Sequence, residues 1–325
     1  MTGAFQSAVR GAVAVIAIAV GVVFLPIAVG VMPEQFFEAG CTGGQWAGSS
    51  FFCYGFLWNT LTTGVFIGIM GPIIGMFLVH REMALIGETL AHTAFAGVAL
   101  GTMLVGASGW DVRLLVVAIV VAVGGALAVQ ALADRAGSYG DVPIAIMLVG
   151  SFAVGTLFID LGGGFAFVDI NSYLFGNIAI TDDRSVTLLA VLLFAVVGVV
   201  GVAYRPLVYI TFDEQTATAV RFNVRGYNTL LIVLTALVIV GAMQILGVIL
   251  VAAMLVVPVA AASLVSNGFK DALYTSILIG VGSVLAGIGL SWSFSLRPGA
   301  TIVVVAIGVY LCCVMVSDSD LTAQI

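Results

Sequence analysis

Apolar runs of roughly 20 residues follow one another along almost the whole chain. That is the length a helix needs to cross a ~30 Å hydrocarbon core. No other feature constrains the fold as strongly. With 62% hydrophobic and only 8% charged residues and a mean hydropathy of +1.25, against about 25% charged in a soluble domain, little is left for a soluble body. Barrel strands would be shorter and would alternate in polarity, and these runs do not. The pattern predicts spans at 11–32, 55–79, 86–106, 113–133, 142–160, 186–204, 227–246, 248–266, 272–293 and 300–316. The expected fold is therefore all-α, a polytopic membrane protein of about 9–10 transmembrane helices with one short helix lying outside the bilayer.

The run at 11–32 follows Arg10, is long for a signal segment and has no clear small-x-small cleavage site after it. It reads as a retained helix rather than a signal peptide. Residues 1–54 then form an extra transmembrane helix plus an extracytoplasmic loop, 55–316 the main membrane body, and 317–325 a short cytoplasmic tail. With the N-terminus inside, Arg10, Arg81, Arg135, Arg205, Arg221, Arg225 and Lys270 lie in the cytoplasm and Arg113, Arg184 and Arg297 outside, the bias expected of inward-facing loops. Forty glycines point to helices packed through small residues, Gly64-x-x-x-Gly68 and Gly97-x-x-x-Gly101 among them. The net charge of −6, with no basic patch, excludes a nucleic-acid partner. Lipid is the environment. Cys41 and Cys53 flank a Gly/Ser/aromatic loop and would pair as a disulfide if that loop lies outside the cell, or remain two free thiols. Cys312 and Cys313 read as small core residues.

Against this apolar background Glu88 and His92 stand out. Ionisable groups at bilayer depth are costly and usually face a partner, a cavity or an ion path. The i,i+4 spacing puts both on one helix face, where a carboxylate and an imidazole can share a divalent metal. If Arg81 marks the cytoplasmic boundary, Glu88 lies roughly 10 Å and His92 roughly 16 Å deeper. Two donors are too few for a closed site, but two copies of the helix about a twofold axis would supply four. Oxygen and nitrogen donors suit Zn²⁺ or Mn²⁺ as transported cargo, with no permanently bound cofactor. His80 at the cytoplasmic face and Gln244 within its span are further pathway candidates. Asp160 and Asp169 read as outer-side residues that attract cations or solvate loops. Segment 162–177 reads as a re-entrant or surface helix.

The longest polar stretch, 211–225, opens with Asp213 and Glu214 and continues to Arg221 and Arg225, an order that suits a short helix with acids at its start and bases at its end. It reads either as a helix parallel to the membrane, on which a separate motor docks, or as a solvated loop. The sequence contains no Gly-x-x-x-x-Gly-Lys-Ser/Thr and no Ser-His-Asp or His-Glu-x-x-His arrangement. The chain is thus read as a transporter without enzymatic chemistry of its own, powered by a partner. The alternatives are a self-sufficient cation channel or secondary transporter and a permease for iron chelates.

These residues match a family pattern. Arg81-Glu-Met-Ala-Leu-Ile-Gly-Glu88-Thr-Leu-Ala-His92 resembles the Arg-x-Met-small-x-x-Gly-Asp-x-(Leu/Ile)-(Ser/Ala)-His of the permease subunits of zinc/manganese ABC importers, the ABC-3 family. Ser172-Tyr-Leu-Phe-Gly176, Arg205-Pro-Leu with Phe212-Asp-Glu214, Tyr227-Asn228, and the stretch from Gln244 to Pro258 resemble further family motifs in the same order. The resemblance covers about residues 55–316. It implies a dimer of permeases, two P-loop ATPase subunits inside and a metal-binding receptor outside. It also implies that Glu88 and His92 hold the ion, and that Phe212, Asp213, Glu214, Ala217 and Arg221 belong to an ATPase-coupling helix. Two positions depart from the pattern. Glu88 stands where the family has Asp, and Arg221 stands where it usually has Gly.

Overall fold

The computed structural model describes residues 2–28, 38, 41–42, 53–108, 114–136, 142–161 and 183–322. Among them there is helix and turn and no strand. Helix α1, Thr2–Ala19, runs on through a π-helical stretch, Val20–Phe24, and Leu25–Ala28. Then come α2 (Gly55–His80), α3 (Ile86–Ser108), α4 (Leu114–Ala136), α5 (Val142–Leu161) and α6 (Asp183–Phe212). The short α7 (Glu214–Ala219) leads to α8 (Val224–Leu246), α9 (Val248–Val265), α10 (Phe269–Phe294) and α11 (Pro298–Thr322). All ten expected spans coincide with helix where they are described, save Ser266 at the end of one of them. Seven helices, α2, α5, α6, α8, α9, α10 and α11, are long and apolar enough to cross a bilayer unaided. The chain is an all-α multi-pass membrane protein. Segment 162–177, with Asp169, lies outside the described residues. Pro72, Pro206 and Pro258 each sit inside a helix that continues past them, as membrane helices allow when other groups satisfy the freed carbonyl.

The chain forms two compact units. The first comprises Met1–Ile73, Asn177–Ala195 and Ala253–Ile325. Lipid tails are as apolar as leucine, so helices here are held by close packing rather than by escape from water. Glycine makes that possible where α2 meets α10. A Cβ on Gly280 would lie 2.5 Å from the Gly68 carbonyl oxygen, and one on Gly64 would meet the Val284 side chain. Helix α1 covers this pair, packing Ile16, Val20 and Phe24 against Val65, Ile277 and Val281. Gly287 brings α10 onto the Ile302 backbone of α11. Cys41 and Cys53 are joined by a disulfide, with Cα atoms 4.4 Å apart, while Cys312 and Cys313 are free thiols.

The second unit comprises Ile74–Gly176 and Val196–Ala252. Helix α3 is its centre, packed against α4, α5 and α8. Small residues again set the spacing. A Cβ on Gly97 would meet Ala118 Cα of α4 at 2.8 Å, and one on Gly155 of α5 would meet Ala96 Cα at 3.1 Å. Hydroxyls join these helices where apolar contact alone would leave register loose. The Thr89 hydroxyl donates to the Ile144 carbonyl of α5 at 3.2 Å, and Thr229 of α8 donates to Gln130 of α4 at 3.0 Å.

Candidate metal path and coupling segment

Glu88 lies in the first turn of α3, where a carboxylate is favoured by the exposed N–H groups of a helix start. His92 follows one turn later on the same face. Their nearest atoms, Glu88 Oε1 and His92 Nε2, are 3.9 Å apart, with the side chains 48% and 18% exposed. That separation is too long for a direct hydrogen bond, so neither side chain is tied up by the other. The imidazole is held edge-on by Phe152 of α5, ring centres 5.1 Å apart, and Phe152 in turn stacks on Phe95 of α3. The neighbouring face of α3 is dry and fixed: the buried Thr93 hydroxyl donates back to the Thr89 carbonyl, and the buried Thr89 hydroxyl shares its one hydrogen between the Leu85 and Ile144 carbonyls. Among the described residues no three His, Cys, Asp or Glu side chains come together as a metal cluster. Among the described residues, Glu88 and His92 thus form a pair and not a closed set of donors.

One expectation needs correction. The depths of Glu88 and His92 were counted as continuous helix from Arg81, but residues 81–85 are turns and the helix begins at Ile86. Glu82, with φ of 59°, takes a left-handed conformation there. Measured from Ile86, His92 is only about 9 Å along the helix. The pair sits in the first two turns of α3. His80, last in α2, has Nδ1 2.8 Å from the Met76 carbonyl oxygen and its ring beside Phe212. The side chain of Gln244 lies outside the described residues.

The polar segment is not one helix. Helix α6 runs to Phe212, Asp213 caps α7, and α7 is six residues long. The Asp213 carboxylate accepts from the Thr216 backbone N–H at 2.8 Å and from the Thr216 hydroxyl. Those two bonds hold its carboxyl below the usual carboxylate range. Only Ala217 of α7 is buried; Phe212, Asp213, Glu214 and Arg221 are exposed. The segment ends in a Schellman turn. The Phe222 N–H bonds the Ala217 carbonyl and the Arg221 N–H bonds that of Thr218, with Arg221 itself at φ 65°. Phe222 then wedges between Tyr209 of α6 and Tyr227 of α8. Arg225 is not at the end of this helix, as the charge order predicts, but in the first turn of α8.

The arrangement of helices is shared with known proteins. Residues 53–317 match the model of the ABC 3 transport family. The chain belongs to that family. Among the curated ABC 3 relatives, it is 30% identical to the manganese transport system membrane protein MntC of Listeria innocua over 78% of this chain and 88% of that one. It is 34% identical to MntC of Halalkalibacterium halodurans over 78% and 84%. The structure described as PsaBC from Streptococcus pneumoniae in complex with Fab overlays with a TM-score of 0.71 at 28% identity, covering 86% of this chain and 95% of that one.

For this ABC 3 chain, the residue that sequence reasoning underrated is Arg81. It was read as a boundary marker. In the structure its guanidinium donates to the Thr211 hydroxyl at 2.9 Å, to Asn228 Oδ1 at 2.6 Å and to the Leu207 carbonyl at 3.2 Å. Burial pulls the guanidinium down to about 10, against the pull of Glu214, so it stays charged at neutral pH. The available signal was a cluster of polar residues, Arg81, Thr211 and Asn228, at the ends of three apolar runs assigned to one side of the membrane.

Proposed function

We propose that this chain is the membrane permease of an ATP-driven importer of a divalent metal ion, with Mn²⁺ the favoured cargo. The observation that carries this reading is the Glu88–His92 pair. One oxygen and one nitrogen donor stand 3.9 Å apart on one helix face, a set that suits Mn²⁺ or Zn²⁺ better than Cu(I). The relatives named above as manganese transporters favour Mn²⁺ within that set. A second permease copy would bring its own Glu88 and His92, giving four donors from two chains. A site shared in that way binds loosely enough to release its ion.

In this reading the N-terminus and α7 face the cytoplasm, and the ATPase is a separate P-loop subunit docking on Phe212, Asp213, Glu214, Ala217 and Arg221. An extracytoplasmic receptor delivers the ion to the opposite side. The test is reconstitution with the partner ATPase in vesicles. Entry of radioactive Mn²⁺ should require ATP and fall by at least about tenfold in Glu88→Ala and in His92→Ala, the loss expected when one of very few ligands is removed. Metal entry through the chain alone, without nucleotide, would refute the importer reading. Full Mn²⁺ entry in both variants would refute the ligand role of Glu88 and His92, and ATP-driven entry of an iron chelate in place of Mn²⁺ would move the reading to a chelate permease.

A further inference from the structure

Arg81 makes three hydrogen bonds that a metal path does not need. Its acceptors lie on two different helices. Leu207 and Thr211 are on the last two turns of α6, and Asn228 is near the start of α8. Between those helices hangs α7, whose own packing against the chain rests on Ala217. Arg81 therefore spans the base of the α7 segment from both sides. A guanidinium suits that task because its planar fork presents several donors in fixed directions, which one flexible ammonium cannot do.

The other end of the link is equally short. Arg81 begins the turn that leads into α3, and backbone bonds stiffen that turn: Arg81 and Met83 N–H groups both bond the Leu78 carbonyl, and Ile86 N–H bonds that of Met83. Six residues separate Arg81 from Glu88. A shift at the ends of α6 and α8 has a direct mechanical route to the first turn of α3, with no long loop to absorb it.

We propose that Arg81 is the positioning residue that ties the α7 segment to α3, so that displacement of α7 moves Glu88 and His92. This rests on the reading of α7 as the ATPase contact. In this role Arg81 is no ligand of the ion and acts through the helices it joins. Its role is to make hydrolysis and ion movement one event.

The test measures ATP hydrolysis and radioactive Mn²⁺ entry on the same vesicles holding permease and ATPase, and Mn²⁺ bound without ATP. Arg81→Gln, Arg81→Lys and Asn228→Ala should hydrolyse ATP within about twofold of the unmodified complex yet move at least about tenfold fewer ions per ATP, since each loses hydrogen bonds to a charged group. Mn²⁺ bound without ATP should be unchanged. Arg81→Gln combined with Asn228→Ala should be no worse than the weaker single variant, because both break one network. If Arg81→Gln does not assemble, Asn228→Ala and Thr211→Val decide the matter from the other side of the bonds. An unchanged ratio of ions to ATP overturns the tie alone. So does a fall in hydrolysis and entry by the same factor, which marks a merely structural role. No ATP-driven entry in the unmodified complex overturns the importer reading and the tie with it.

Discussion

Arg221 is where the α7 segment departs from the family pattern it resembles, and the departure has a measurable cost. Its φ of 65° is left-handed, which costs an L-residue about 1–2 kcal/mol. Glycine has no such penalty but loses about 0.5–1 kcal/mol more backbone freedom on folding. Arg221→Gly should therefore stabilise the end of α7 by about 0.5–1 kcal/mol, which lowers local opening about two- to fivefold. The amides that report it are those of Val220, Arg221 and Phe222, bonded to the Thr216, Thr218 and Ala217 carbonyls. Hydrogen exchange at these amides should slow by that factor in Arg221→Gly. Arg221→Ala keeps the left-handed strain and removes the charge, so its exchange should stay close to that of the unmodified chain. If Ala slows exchange as much as Gly does, the effect belongs to the side chain and the backbone argument is wrong.

Other outcomes follow from the same geometry. Asp213→Ala removes the cap of α7 and should speed exchange at the Thr216 amide it holds; equal exchange in both chains would show that the cap is idle. The Asp213 carboxyl sits below its ordinary range in the folded chain. Its cap is thus fully present above the unfolded carboxylate value of about 4 and is lost as pH falls through the lowered folded value. Exchange at Thr216 should accelerate in acid in the unmodified chain, beyond the intrinsic pH dependence, and not in Asp213→Ala. Gly280→Ala puts a methyl against the Gly68 carbonyl and the Pro72 ring. It should cost about 1–3 kcal/mol, as overpacking does. Thermal melting of the purified chain reads this, and an unchanged midpoint would mean that α2 and α10 do not meet there.

Much of the fold was legible because membrane crossing writes a local signal. Apart from Ser266 at one boundary, every expected span is helix where it is described, since a helix needs its 20 apolar residues in one uninterrupted stretch. The shared face of Glu88 and His92 was legible for the same reason, since i,i+4 spacing is a property of the helix alone. Their depth was not, because the start of α3 depends on how the turn at 81–85 is bonded. The partners of Arg81 lie 126 to 147 residues away, and no periodicity reports contacts at such separations. The positive φ of Arg221 was hidden by its identity, because glycine is the residue that normally announces a left-handed turn. Phe222 looked like one more apolar residue, and only the fold shows Tyr209 and Tyr227 on either side of it.

Helix α6 has a further consequence through its length. Its 30 residues span about 45 Å, roughly 15 Å more than the hydrocarbon core is thick. Exposed Arg205 is followed by seven more residues, about 10 Å of helix, in which Leu207 and Ile210 are buried and Leu207 and Thr211 bond Arg81. A change in membrane thickness alters how upright such a helix must stand. The end of α6, which leads into α7, would then shift with the lipid as well as with any protein that grips it. Bilayer thickness would thereby act on the position of α7.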